Sequence, residues 1–122
     1  MSTVNASPFP KRLKEARKKL GISQKALGMQ AGIDELSASP RMNQYEKGKH
    51  YPDYDMARRL ANVLQVPCSF FYEEDDEVAE MLLLFFTLSA SDRKKIKASL
   101  MALSVDFAYL NDRINESNAE TE

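Results

Sequence analysis

A chain of 122 residues is enough for one compact domain plus an appendage; its 43% hydrophobic residues can bury a core, and 29% charged residues are expected to keep it soluble. Its longest apolar run, Met81–Phe86, falls far short of the roughly 18 residues of a membrane span, and the lone Cys68 excludes an internal disulfide. The net charge of −1 conceals a division: residues 1–64 carry twelve Lys/Arg against six Asp/Glu, a balance of +6, whereas residues 65–122 carry five against twelve, a balance of −7.

Helical signals run through the chain: Val, Ile and Thr are sparse, alternation is absent, and no Asn-Gly or Asp-Gly hairpin turn occurs. A first helix is expected from about Pro10 to Leu20. Phe9, Leu13, Ala16 and Leu20 recur at helical spacing, proline opens the helix, and Gly21 suits the left-handed residue that closes it. Ser23 caps a second helix, Gln24–Ala31, which Gly32 ends. A third helix meets an obstacle, because Pro40 stands within "SASPRMNQYEKGK" and interior proline costs roughly 3 kcal/mol. Either no helix forms there, or it begins at Pro40. Asp53 caps a fourth helix through about Leu64, with Met56, Ala57, Leu60, Ala61 and Leu64 as its apolar stripe, and a short fifth element, "CSFFY", follows Pro67.

Beyond Tyr72 the character changes. Glu73–Glu77 reads as the solvated start of an apolar helix over Val78–Leu88, where the macrodipole favours acids; a calcium loop would alternate its acids and include a glycine turn. Ser89 and Asp92 form an S-x-x-D capping box. Ile96, Leu100, Leu103, Phe107, Leu110 and Ile114 then step by 4, 3, 4, 3, 4, a heptad seam. One continuous helix of that kind, some 24 residues, is about 36 Å long. The polar residues 115–122 are expected to be a disordered tail.

Residues "SQKALGMQAGI", Ser23–Ile33, have the grammar of the first half of a helix-turn-helix: Leu27 faces the core, Gly28 is small where a second helix crosses, Gly32 makes the turn and Ile33 plugs the core. "MNQYEKGKHYPD" supplies the second half, with Met42 and Tyr45 apolar at i, i+3 and Gly48 at the end. With "LKEARKKLGISQ", "AGI", "YEKGK" and "ANVLQVP" in order, residues 10–72 resemble the xenobiotic-response-element (XRE; Cro/repressor-like) helix-turn-helix family. The resemblance implies an all-α chain with a lambda-repressor-like five-helix DNA-binding domain over residues 8–72. One feature departs from the family: Ile33–Gln44 spans twelve residues between "AG" and "YE", four more than usual. Registering back from Tyr45 puts Met42 on the buried face, Pro40 near the first helical position and Ser39 at the N-cap. The helix then begins at Pro40, and the extra residues lengthen the turn.

By the same resemblance Ser39, Pro40, Arg41, Asn43 and Gln44 face the major groove, Arg41 suited to guanine and Gln44 to adenine. Gln24, Lys47 and Lys49 are expected at phosphates. Arg17 and Glu46 match the family's ion pair between the first and recognition helices, a contact more positional than stabilising.

Met81, Leu82, Phe85 and Phe86, together with the seam Ile96, Leu100, Leu103, Phe107, Leu110 and Ile114, are expected to form a two-helix dimerisation region over residues 75–114. An intramolecular hairpin folded onto the head is the alternative. The function expected is a sequence-specific transcriptional regulator, a repressor binding a partly palindromic operator as a homodimer. An antitoxin whose acidic, apolar C-terminal region wraps a basic toxin, or a protein-interaction module that has lost DNA binding, are the competing readings. Cys68 reads as apolar filler and His50 as a lone turn histidine. With one Cys, one His, no G-x-S-x-G and no phosphate loop, neither enzyme activity nor a metal or cofactor is expected. The opening residues lack the pattern of a secretion signal, and cytoplasm is the expected location.

Overall fold

The computed structural model describes residues 6–104 and 107–121, with side chains at 6–104 and 111–119. Among them every element is helical: α1 (Phe9–Leu20), α2 (Gln24–Gln30), α3 (Glu35–Glu46), α4 (Tyr54–Leu64), a 3₁₀ segment (Cys68–Tyr72), α5 (Asp76–Phe86), α6 (Ala90–Leu103) and α7 (Phe107–Thr121). The chain divides into two compact units, residues 1–87 and 88–122.

Local chemistry sets the helix limits in the first unit. Pro10 lies in the first turn of α1, where its missing N–H has no helical partner, and Arg17, Lys18 and Lys19 occupy the last turn, where cations suit the dipole. Gly21 ends the helix at φ 80°, its N–H bonded to the carbonyls of Arg17 and Lys18. A side chain there would meet open space, so the glycine serves the left-handed backbone alone. The side chains of Ser23 and Asp53 accept the backbone N–H of Ala26 at 3.0 Å and of Met56 at 2.8 Å, opening α2 and α4. Gln65 closes α4 in the left-handed region at φ 57°, and its amide donates to the Asn62 carbonyl at 2.7 Å.

Phe9, Leu13, Leu27, Met42, Leu60 and Phe71 are the largest fully buried side chains of the core. Phe9 tilts against Phe71 with ring centroids 4.9 Å apart, tying α1 to the 3₁₀ segment. Gly28 lets α2 and α3 approach: a Cβ there would stand 3.0 Å from Ala38 Cβ and 3.1 Å from Met42 Cγ.

The third helix does not begin at Pro40. It begins one turn earlier, at Glu35, with Asp34 as N-cap accepting the Ser37 N–H at 3.3 Å, and Ser39 and Pro40 lie inside it. Four extra residues amount to about one turn of helix, so they extend α3 forward without rotating its faces. What favours this is packing. Ala38 is fully buried against Gly28, one turn before Met42 and two before Tyr45. Proline forfeits one bond, to the Leu36 carbonyl, on a face where both residues are exposed and water can serve that oxygen.

The acidic run is also more than a solvated start. Asp75 caps α5, accepting the N–H of Glu77 at 2.8 Å and of Val78 at 3.2 Å. Arg12, only 3% exposed, donates from Nε to the Glu73 carbonyl at 3.0 Å and from a terminal nitrogen to the Glu74 carbonyl at 3.3 Å. It also pairs with Asp76 at 3.0 Å and lies over the Phe70 ring. This clamp ties α5 to α1 and the 3₁₀ segment within the first unit, where Ala79 is buried and Leu83 packs against the core. The expected two-helix region 75–114 is therefore split, its first helix belonging with the head.

In the second unit Ser89 accepts the Asp92 N–H at 3.1 Å and opens α6. The expected single helix is interrupted: α6 ends at Leu103, and Ser104 is extended at ψ 125° before α7 starts at Phe107. Residues 115–121, read from composition as a disordered tail, lie within α7.

Candidate nucleic-acid interface

The candidate surface is the outer face of α3. Ala38, Met42 and Tyr45 recur at i, i+4, i+7 and turn inward, all buried. The same periodicity sends Leu36, Pro40 and Asn43 to the opposite side. Ser39, Pro40, Arg41 and Gln44 are exposed, and Asn43 is half-buried. Arg41 stands at the border of the two faces near Tyr45, whose hydroxyl pKa is raised by burial, with the Arg41 charge opposing the shift.

The helix is held from behind at both ends. At its C-terminus Arg17 Nε donates to Glu46 Oε2 at 2.6 Å and a terminal nitrogen donates to Oε1 at 3.0 Å, a two-pronged pair, while the third arm reaches the Ile22 carbonyl at 3.0 Å. The bonds to Glu46 hold the Arg17 pKa above its ordinary value, against burial. Gln24 belongs to the same network, its amide donating to Glu46 Oε1 at 3.2 Å and to Asn43 Oδ1 at 3.4 Å. Its amide group thus lies between α2 and α3. At the front, Lys25 on α2 pairs with Glu35 at 3.2 Å. That contact, and the outward Leu36, escape a reading in which α3 starts at Pro40; Asp34 followed by Glu35 in a first turn was the available signal.

Lys47 and Lys49 follow α3 and are exposed; the Lys49 N–H bonds the Gln44 carbonyl at 3.0 Å. His50 is exposed and Cys68 half-buried, the thiol pKa pushed up by burial. No three His, Cys, Asp or Glu among the described residues stand together as a metal site. No described helix is long and apolar enough to cross a membrane.

The apolar residues singled out for self-association divide between the units. On α5, Met81, Phe85 and Phe86 are exposed and Leu82 is half-buried. On α6, Ile96, Leu100 and Leu103 share a face and are 39%, 58% and 82% exposed. Ile114 on α7 is exposed, and the side chains of Phe107 and Leu110 lie outside the described residues.

What these helices can do is present donors and acceptors on a rigid rod, flanked by lysines that suit a polyanion. Comparison with known proteins agrees. The helix-turn-helix domain family matches residues 11–69. The crystal structure of the transcriptional regulator BswR is similar to this chain, with 42% identity over 81% of this chain and 98% of that one, and a TM-score of 0.76. No curated protein matches.

Proposed function

The chain belongs to the XRE-type helix-turn-helix family of DNA-binding transcription regulators, and from that premise we propose that it is a repressor, binding a partly palindromic operator as a homodimer. The observation that carries the DNA-reading part is the outward presentation of Ser39, Pro40, Arg41 and Gln44 along α3. A recognition helix enters the major groove with its N-terminal residues at the base edges. Arg41 bonds the two guanine acceptors and Gln44 the adenine edge, while Lys47 and Lys49 sit at phosphates. Gln24 positions the helix through Glu46 and Asn43 more than it grips a phosphate with its side chain. The role is binding, exerted in the cytoplasm, a reducing compartment that suits the lone Cys68.

One recognition helix reads too few base pairs for an operator, and two heads spaced about 34 Å apart double the site. The exposed seam Ile96, Leu100 and Leu103 supports self-association through the second unit. The same seam could instead take up another protein, as an antitoxin does with its toxin. Selection of bound fragments from random duplex DNA tests the reading as a whole. An enriched sequence with two inverted half-sites is expected; enrichment of nothing, or of a single unpaired half-site, contradicts it.

A further inference from the structure

The front turn of α3 carries a residue that no fold requirement explains. Leu36 is 90% exposed, the most exposed large apolar side chain among the described residues. A leucine so placed adds nothing to the core and costs solubility, so its surroundings indicate what it meets. It precedes Pro40 by one turn and Asn43 by two, on the stripe opposite the buried Ala38, Met42 and Tyr45. Its neighbour Glu35 is occupied by Lys25, 3.2 Å away, which tempers one carboxylate that would otherwise repel a polyanion at this end of the helix. An apolar tip on a groove-entering helix has one apolar feature to meet on a base edge in the major groove, the C5-methyl group of thymine.

We propose that Leu36 is a specificity-determining residue that packs on a thymine methyl group in each half-site, beyond the reach of Arg41 and Gln44. The inference rests on α3 being the DNA-reading helix. The extra turn of α3 thereby lengthens the sequence read rather than only joining two helices. Asp34 caps the first turn by accepting the Ser37 N–H at 3.3 Å, and Pro40 continues the apolar stripe.

The test uses the duplex enriched by the full-length protein, with each thymine replaced singly by deoxyuridine, which removes only the methyl group. Wild type should lose about fourfold in affinity at one thymine per half-site, the worth of one buried methyl. Leu36→Ala keeps a strong helix former and should fold normally, bind the intact duplex more weakly, and be indifferent to deoxyuridine at that same position. If every deoxyuridine costs wild type and Leu36→Ala equally, the assignment of Leu36 is overturned. Arg41→Ala separates that outcome from failure of the parent reading. Loss of preference for the enriched duplex on Arg41→Ala leaves α3 as the reader with Leu36 alone excluded. An unchanged preference removes α3, and Leu36 with it.

Discussion

Arg17 and Glu46 face each other across 29 residues of sequence and make two parallel bonds, 2.6 Å and 3.0 Å long, with side-chain exposures of 13% and 3%. A pair so enclosed costs desolvation when formed and costs more when broken, because the remaining charge has no water to turn to. Arg17→Ala should therefore lower stability by about 3 to 5 kcal/mol, read from urea denaturation. The double variant Arg17→Met/Glu46→Leu should recover most of that loss while still weakening DNA binding, since Gln24, which donates to Asn43, loses its anchor on Glu46. An Arg17→Ala protein of unchanged stability would show that the pair is idle.

Gly28→Ala tests the approach of α2 to α3. The added Cβ would lie 3.0 Å from Ala38 Cβ and 3.2 Å from Ala38 Cα, and the backbone cannot give as a flexible side-chain end would. Overpacking of this kind costs about 1 to 3 kcal/mol, against a helix-propensity gain of about 1 kcal/mol. A net loss of stability and weaker DNA binding are expected from thermal melts and titration. A protein stabilised by the alanine would mean the helices stand farther apart.

Pro40→Ala should act in the opposite direction. It restores an N–H to the Leu36 carbonyl and removes the ring from the helix interior, worth about 3 kcal/mol, less about 1 kcal/mol for the freer unfolded chain. A gain of roughly 2 kcal/mol and a protected amide at position 40 in hydrogen exchange are expected. A loss of stability would return the start of the helix to residue 40.

The clamp on α5 predicts a pH dependence. Hydrogen bonds from Lys11 and then Arg12 hold the Asp76 carboxyl below its ordinary pKa of 3.8. The folded-state pKa lies below the unfolded one, so this contribution is fully present above the ordinary carboxylate range and fades as pH falls through the depressed value. Asp76→Asn should melt lower than wild type at pH 7, with the gap closing as pH falls through the depressed Asp76 pKa and shrinking in high salt. A gap that persists unchanged into acid would assign the effect to packing instead.

Self-association is tested at the seam. Leu100→Asp places a charge where the side chain is 58% exposed, so the chain should fold as before while sedimentation equilibrium shifts from dimer to monomer and operator affinity falls. A wild-type chain that is monomeric at micromolar concentration contradicts the homodimer.

Much of this was legible because capping is local chemistry. Ser23, Asp53 and Ser89 announce their helices within three residues, and Gly21 needs only its own backbone freedom. Pro40 misled for the converse reason. Its local cost is easily read, whereas the burial of Ala38 against Gly28 that outweighs it depends on a neighbouring helix. The heptad seam runs on past Ser104, where the chain turns extended, because spacing alone does not register a break in the backbone. Nothing in the sequence around Arg12 singles it out. Only the fold brings the Glu73 and Glu74 carbonyls to it from 61 and 62 residues away. At the candidate interface the outward residues follow from periodicity, while the inward turn of Gln24 required the position of Glu46.

The central claim is that α3 reads bases through Arg41, and the most direct measurement is the affinity of wild type and Arg41→Ala for the enriched duplex and for a scrambled duplex at fixed salt. A bidentate contact to guanine is worth about 1 to 3 kcal/mol, so the variant should lose roughly fivefold or more on the enriched duplex and little on the scrambled one. Equal losses on both duplexes, or none on either, would mean that Arg41 supplies charge or nothing, and that sequence is read elsewhere.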